Sequence, residues 1–134
     1  TGDCVVIGGG LVGAETAEYL ANKGHQVTIV EMMDKIAAGE STTVLPLMMK
    51  DFADHNVKQL VNTKVDHIEN NIVYTANDQI KADTIINALG SKKNIFDDSS
   101  ITIPHVCVGD CSGERTADIA SAIRTAYHAA NAID

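Results

Sequence analysis

VVIGGGLVGAETAEYLANKGHQVTIVE, residues 5–31, decides the fold. A short apolar run, Cys4 to Ile7, reads as a buried strand and leads directly into Gly8-x-Gly10-x-x-Gly13. The period then changes from two to helical: Leu11, Ala14, Ala17, Leu20 and Ala21 recur on one narrow face of mostly small residues, suited to close packing on a sheet. Lys23 stands in the last turn and Gly24 is a natural left-handed stop. A second apolar run, Val27 to Val30, ends in an acid, Glu31, 18 residues after Gly13. Strand, glycine turn, helix, strand, acid is the order of a βαβ unit that holds the diphosphate of a dinucleotide.

The glycines divide the work. Gly8 lets the chain leave the strand sharply, Gly10 lets a diphosphate approach the backbone, and Gly13 lets the helix pack tightly. Five of the ten glycines fall within the first 13 residues, so they are placed rather than scattered. The helix opening at Leu11 and Val12 then directs unpaired N–H groups and the positive end of its dipole at the phosphates. Glu31 has two readings. It accepts hydrogen bonds from an adenosine ribose and repels a 2′-phosphate, which favours NADH over NADPH, or it is a solvated acid at a strand end. Met32 and Met33 either flank the adenine or are exposed loop residues. Glu15, one turn into the helix, either sits near the nicotinamide end or is an acid favoured by the helix dipole.

Beyond residue 31 the spacing predicts a loop over 32–43, whose Ser41-Thr42-Thr43 run can cap a helix. A helix over about 44–55 follows, with Pro46 in its first turn and Leu45, Met48, Met49 and Phe52 on one face, and Asn56 as its left-handed stop. Then the period returns to two. Lys58–Val61, Lys64–Glu69, Ile72–Thr75, Gln79–Ala82 and Thr84–Leu89 are strand-like runs, and Asn70-Asn71 and Asn77-Asp78 are turn pairs. The expected class is α/β: a Rossmann-like three-layer fold with a central parallel sheet, helices and an antiparallel β-meander. Sheet order 3-2-1 is expected, with the 84–89 run beside the first strand. Leu89-Gly90 then comes close to the ligand. Residues 91–104 read as loop, 106–110 as a strand ending in Gly109-Asp110, and 115–132 as a helix with Ile119, Ala122, Ile123, Ala126, Ala130 and Ile133 on one stripe. Two domains are expected, 1–93 and 94–134.

The chain has 134 residues, 45% of them hydrophobic, which suffices for a core. A net charge of −8 argues against nucleic acid as a partner, since phosphate backbones need a basic face. No apolar run is long enough to span a membrane and no leader pattern is present, so a soluble, cytoplasmic protein is expected. The opening Thr1-Gly2, close before the first strand, reads as the edge of a piece of a longer polypeptide. Cys4, Cys107 and Cys111 include no CxxC pair, and no metal site is expected. Cys4 and Cys107 read as small core residues. The five histidines read as surface or loop residues.

Three motifs together resemble the pyridine-nucleotide-binding part of FAD-dependent oxidoreductases of the glutathione-reductase type: Gly8-Gly9-Gly10-Leu11-Val12-Gly13-Ala14-Glu15, Thr84-Ile85-Ile86-Asn87-Ala88-Leu89-Gly90, and Val108-Gly109-Asp110 with Arg115 and the Ala122-Ile123 helix. Ala14-Glu15-Thr16-Ala17-Glu18-Tyr19-Leu20, Val30-Glu31-Met32 and Gly109-Asp110-Cys111 are similar to the multi-domain NADH:flavin oxidoreductases of the old-yellow-enzyme class, such as 2,4-dienoyl-CoA reductase and 2-enoate reductase. The resemblance implies hydride transfer from NAD(P)H to FAD, with Gly8, Gly10, Leu11, Val12, Gly13, Glu15, Glu31, Met32, Leu89 and Gly90 around the NAD. It implies that Asp110, after Gly109, meets the ribityl chain of FAD, and that FMN and an iron–sulfur cluster belong to other parts of the parent. It assigns no catalytic acid, base or nucleophile here. The flavin domain of that family opens with its own glycine turn, which this sequence lacks, so residues 94–134 resemble only its return segment. The remainder of the parent, the flavin domain above all, is the expected partner. A 106–109 strand without those neighbours has open edges that invite pairing within this domain or with a second copy.

Two other readings compete. A regulatory nucleotide-binding module of the potassium-transporter type has the same turn and acid but continues in βαβ units after its third strand. A structural fragment that holds no ligand tightly is the other.

Overall fold

The computed structural model describes residues 2–39, 41, 43–92, 96–112 and 119–133. Thr42, Lys93, Asn94, Arg115 and the first residues of the expected 115–132 helix lie outside these. The chain divides into two units, residues 1–90 and 91–134.

Unit 1 runs β1 (Asp3–Ile7), α1 (Leu11–Asn22), β2 (Gln26–Val30), α2 (Leu45–Asp54), β3 (Lys58–Leu60), β4 (Val65–Glu69), β5 (Ile72–Thr75), β6 (Gln79–Lys81) and β7 (Thr84–Asn87). Four strands form a parallel sheet in the order β3-β2-β1-β7, and β4-β5-β6 form a separate antiparallel sheet. Val5 lies between Thr28 on one side and Ile85 on the other. The expected order is therefore found. The meander also departs from the βαβ continuation that the regulatory-module reading requires.

Strand alternation builds the three layers. Cys4 and Val6 of β1, with Val27 and Ile29 of β2, face Ala14, Ala17 and Ala21 of α1 and Met48 and Phe52 of α2. Val5, Ile7 and Val30 point the other way, onto Val73 of β5 and Ala82. Both faces of β1 are buried, which is why it reads as an unbroken apolar run rather than an alternating one. The alanines of α1 set a close helix–sheet distance. Leu11, expected on that face, is instead exposed at the mouth of the helix, while Gly13 is buried in the packing.

The ends of the helices follow local chemistry. After Lys23, Gly24 takes φ 86°, and the N–H groups of Gly24 and His25 bond back to Ala21 and Leu20, a Schellman ending. The Ser41 hydroxyl accepts from the Val44 N–H at 3.2 Å, and Pro46 sits in the first turn of α2. Asn56 closes α2 with φ 55°. Asn70 and Asn71 both adopt positive φ, a two-residue hairpin turn between β4 and β5. Asn77-Asp78 turns differently: the Thr75 hydroxyl accepts from the Asp78 N–H at 2.9 Å.

Unit 2 holds a 3-10 turn, Gly109–Cys111, and α3 (Ile119–Asn131). Here the sequence expectation needs correcting. Residues 104–108 form no strand, and Val106 is 64% exposed. A strand exists only through a ladder with a neighbour, and no described strand pairs with this segment. The pairing expected of its edges within the domain is not found among the described residues. Cys107, expected in a core strand, is half-buried in this extended stretch. The stripe on α3 also turns out differently: Ile119 is 80% exposed, Ile123 and Ile133 are also exposed, and Ser121 is the buried residue.

Candidate functional site

The C-terminal end of β1 gathers most of the expected residues. Gly8 leaves the strand with φ 99°, and its N–H donates to the Val30 carbonyl at 2.9 Å. A Cβ on Gly8 would lie 2.5 Å from the Ala88 carbonyl oxygen, so the turn is pressed against the chain leaving β7. A Cβ on Gly13 would overlap the Gly8 carbonyl oxygen outright. Gly13 thus packs the helix onto the turn itself. Gly10 differs: nothing lies within 4 Å of its missing Cβ. Its backbone is extended at φ −64° and ψ −178°, and no side chain caps α1. The first-turn amides therefore face outward beside an open backbone, a cradle that fits a diphosphate.

Glu31 occupies a position that neither sequence reading describes. It is only 8% exposed. The Gly9 N–H donates to its Oε2 at 2.6 Å and the Met33 N–H to its Oε1 at 2.7 Å. The solvated-acid alternative is thereby excluded. Carboxylate oxygens accept more than one bond each, so capacity for a ribose hydroxyl remains. Charge-assisted bonds of this kind hold the glycine turn and the loop after β2 in fixed register.

Sequence reasoning missed Gly9, Ile36 and Ala37. The Ala37 N–H donates to the Gly9 carbonyl at 2.6 Å, and the Ile36 side chain covers Gly9. Both residues are buried although they lie in a polar loop. The apolar Ile36-Ala37-Ala38 run between Lys35 and Gly39 is the available signal. Gly9 is thus held from both of its peptide groups, by Glu31 and by Ala37.

Leu11, Val12, Met32, Met33 and Leu89 are all exposed at this end of the sheet. Leu89 and Gly90 follow β7, which ends two residues earlier than expected, at Asn87; the Asn87 side chain accepts from the Leu89 N–H at 3.1 Å. Gly90 has φ 88°. Glu15 is the fifth residue of α1 and is exposed, and no acid occupies the first turn. The reading of Glu15 as a first-turn acid therefore falls. Gly109 and Asp110 lie in unit 2, where the Gly109 N–H donates to the Thr125 hydroxyl at 2.9 Å and Asp110 is exposed. No cluster of three or more metal-ligating side chains occurs among the described residues. None of the described helices is long and apolar enough to cross a membrane.

Residues 2–106 match the family described as pyridine nucleotide-disulphide oxidoreductase. A bilirubin reductase of Mediterraneibacter gnavus is 45% identical over 99% of this chain, and the chain spans 22% of that relative's length. Among solved structures, a complex of 2-naphthoyl-CoA reductase with 2-naphthoyl-CoA shares 28% identity at a TM-score of 0.69, covering 93% of this chain and 20% of its own. The water-forming NADH oxidase of Lactobacillus brevis, bound to NADH, shares 25% identity at a TM-score of 0.58, covering 68% of this chain and 21% of its own. The chain thus spans about a fifth of the length of these relatives.

Proposed function

The chain belongs to the pyridine nucleotide-disulphide oxidoreductase family, and on that premise we propose that unit 1 is the NADH-binding domain of a flavin-dependent oxidoreductase, delivering hydride to FAD held by the remainder of a longer polypeptide. The observation that carries this reading is the contrast among the glycines. Gly8 and Gly13 are glycine because the fold leaves no room for a Cβ, whereas Gly10 is glycine where the fold leaves space open. A ligand that approaches the backbone explains the open one.

In this reading the residues bind and orient. The α1 amides and Gly10 take the diphosphate, Glu31 takes the adenosine ribose, and Met32 lies beside the adenine. Glu15, Leu89 and Gly90 border the nicotinamide end. Bound nicotinamide supplies the hydride and the flavin accepts it, so the protein's task is to align the two rings and exclude water. No acid, base or nucleophile is assigned to this chain. Asp110 is assigned to the flavin ribityl chain of the assembled parent, and residues 94–134 to the return segment of its flavin domain. We place the parent among the NADH:flavin oxidoreductases of the old-yellow-enzyme class. Similarity over nearly the whole chain to a far longer bilirubin reductase supports a multi-domain reductase.

Titration of the 134-residue chain with NADH, NADPH and FAD, followed by calorimetry, tests this reading. NADH is expected to bind, NADPH to bind more weakly, and FAD to give no heat. Binding of FAD alone, or of no nucleotide, overturns it.

A further inference from the structure

The thiols of unit 2 have no role in the nucleotide reading, and their placement is specific. Cys107 lies in the extended stretch that enters the Gly109–Cys111 turn, and Cys111 ends that turn. Gly109 has φ 68°, which folds the chain back on itself. The Cys111 thiol donates to the Val108 carbonyl at 3.1 Å, so its sulfur lies over the segment that carries Cys107. Cys107 and Cys111 stand four residues apart, on either side of Gly109-Asp110, near enough for their thiols to interact. Both residues are half-buried, within reach of a small reagent, whereas Cys4 is sealed inside β1. The turn between them is anchored, because the Gly109 N–H bonds the Thr125 hydroxyl of α3.

We propose that Cys107 and Cys111 form a dithiol that closes reversibly to an intrachain disulfide across the Gly109–Asp110 turn, with a small-molecule disulfide of the glutathione class as electron acceptor. Closure needs Cα atoms about 4.4–6.8 Å apart; the Ser112 N–H closes the turn on the Gly109 carbonyl at 3.0 Å, which holds Cys111 back toward the segment that carries Cys107. One protein thiol loses its proton and attacks a sulfur of the small disulfide, whose S–S bond breaks and releases one small thiol. The second protein thiol loses its proton and attacks the protein sulfur of the mixed disulfide, releasing the other small thiol. Two protein thiols are oxidised and one small disulfide is reduced, with two electrons passed. Burial, then the neighbouring Cys111 and Asp98, raise the Cys107 thiol above its ordinary pKa.

The test is oxidation of the 134-residue chain by oxidised glutathione, alkylation of remaining thiols, and mass analysis of the tryptic peptide spanning residues 94–115, which holds both cysteines. That peptide is expected to be lighter by two hydrogen atoms and unalkylated, with Cys4 alkylated after unfolding, and dithiothreitol is expected to reverse the change. In Cys111→Ser the same treatment is expected to leave Cys107 as a thiol or a glutathione adduct. Recovery of the wild-type peptide with both cysteines alkylated, carrying stable glutathione adducts, or bridged between two chains overturns the proposal.

Discussion

Alanine at two glycines of the same turn has opposite consequences, and the contrast tests the nucleotide site without confusing binding with folding. In Gly10→Ala the new Cβ meets nothing within 4 Å, and φ −64° with ψ −178° is open to any residue. Two small effects on stability offset each other. Alanine restricts the unfolded chain, worth about 0.4–1 kcal/mol in favour. It is also a poorer N-cap than glycine, by about the same amount. The net change is within about 1 kcal/mol, or roughly 3–5 °C in Tm for a domain of this size. The Cβ nevertheless stands where the diphosphate approaches, so NADH affinity is expected to fall at least about tenfold, or about 1.4 kcal/mol. Gly13→Ala instead drives a Cβ into the Gly8 carbonyl oxygen. Neither partner is a flexible side chain, so the helix must move off the turn. A loss of about 3 kcal/mol or more is expected, at the upper end of overpacking costs. Thermal melts by circular dichroism report the first quantity. NADH emission reports the second, against no tryptophan background since the chain has none. A Gly10→Ala protein that melts normally and binds NADH as tightly as wild type would refute the assignment of the diphosphate to this turn.

Glu31→Ala strands the Gly9 N–H in a buried site and frees the Met33 N–H in a partly exposed one; a stability loss of about 2–4 kcal/mol in urea melts is expected, about 1–3 kcal/mol from the buried group and about 1 kcal/mol from the other. At temperatures where it remains folded, calorimetry is expected to show weaker NADH binding and a narrower gap to NADPH, and a wild type that already prefers NADPH would contradict the role given to Glu31. Burial, then Asp51 and Glu15, raise the Glu18 pKa, so folding favours its protonated form; the resulting strain is present above the folded pKa and relieved as pH falls through it. Glu18→Gln is therefore expected to raise Tm at pH 7 and to bring no gain at pH 3. His105 donates from Nδ1 to the Ile103 carbonyl at 3.0 Å and from Nε2 to Asp98 at 2.9 Å, which only an imidazolium satisfies, and both contacts raise its pKa, the carbonyl first. Their small stabilisation is present below the ordinary histidine pKa and lost as pH rises through the raised one. In an NMR titration Asp98→Asn is expected to lower the His105 pKa without returning it to the ordinary value.

What could be read in the sequence was what neighbours in the chain decide. The glycine turn, α1 with its Gly24 ending, and the Asn70-Asn71 hairpin all depend on residues a few positions apart. The parallel order followed as well, because a right-handed crossover and a meander leave few ways back to β1. Contacts across the chain were not legible in the same way. The bonds from Gly9 and Met33 to Glu31 cannot be told, in sequence, from a carboxylate in solvent. A run such as Val106–Val108 has strand composition, yet composition supplies no neighbour to pair with. Periodicity likewise identified an apolar stripe on α3 but not its cover: Ser121 is buried while Ile119 and Ile123 are exposed.

The pairing of β1 with β7 also sets the order in which this unit can assemble. The Asp83 N–H bonds the Asp3 carbonyl across 80 residues of chain. At about 5–20 residues per second a ribosome needs roughly 4–16 s to supply that interval. Once β2 has been made, β1 has it along one edge and nothing along the other until β7 arrives, and closure must then overcome a long loop. Ala88, whose carbonyl shapes Gly8, arrives with the last strand. The glycine turn, encoded first, is therefore finished last, and a nascent chain acquires the shape of its nucleotide cradle only when nearly all of unit 1 has been made.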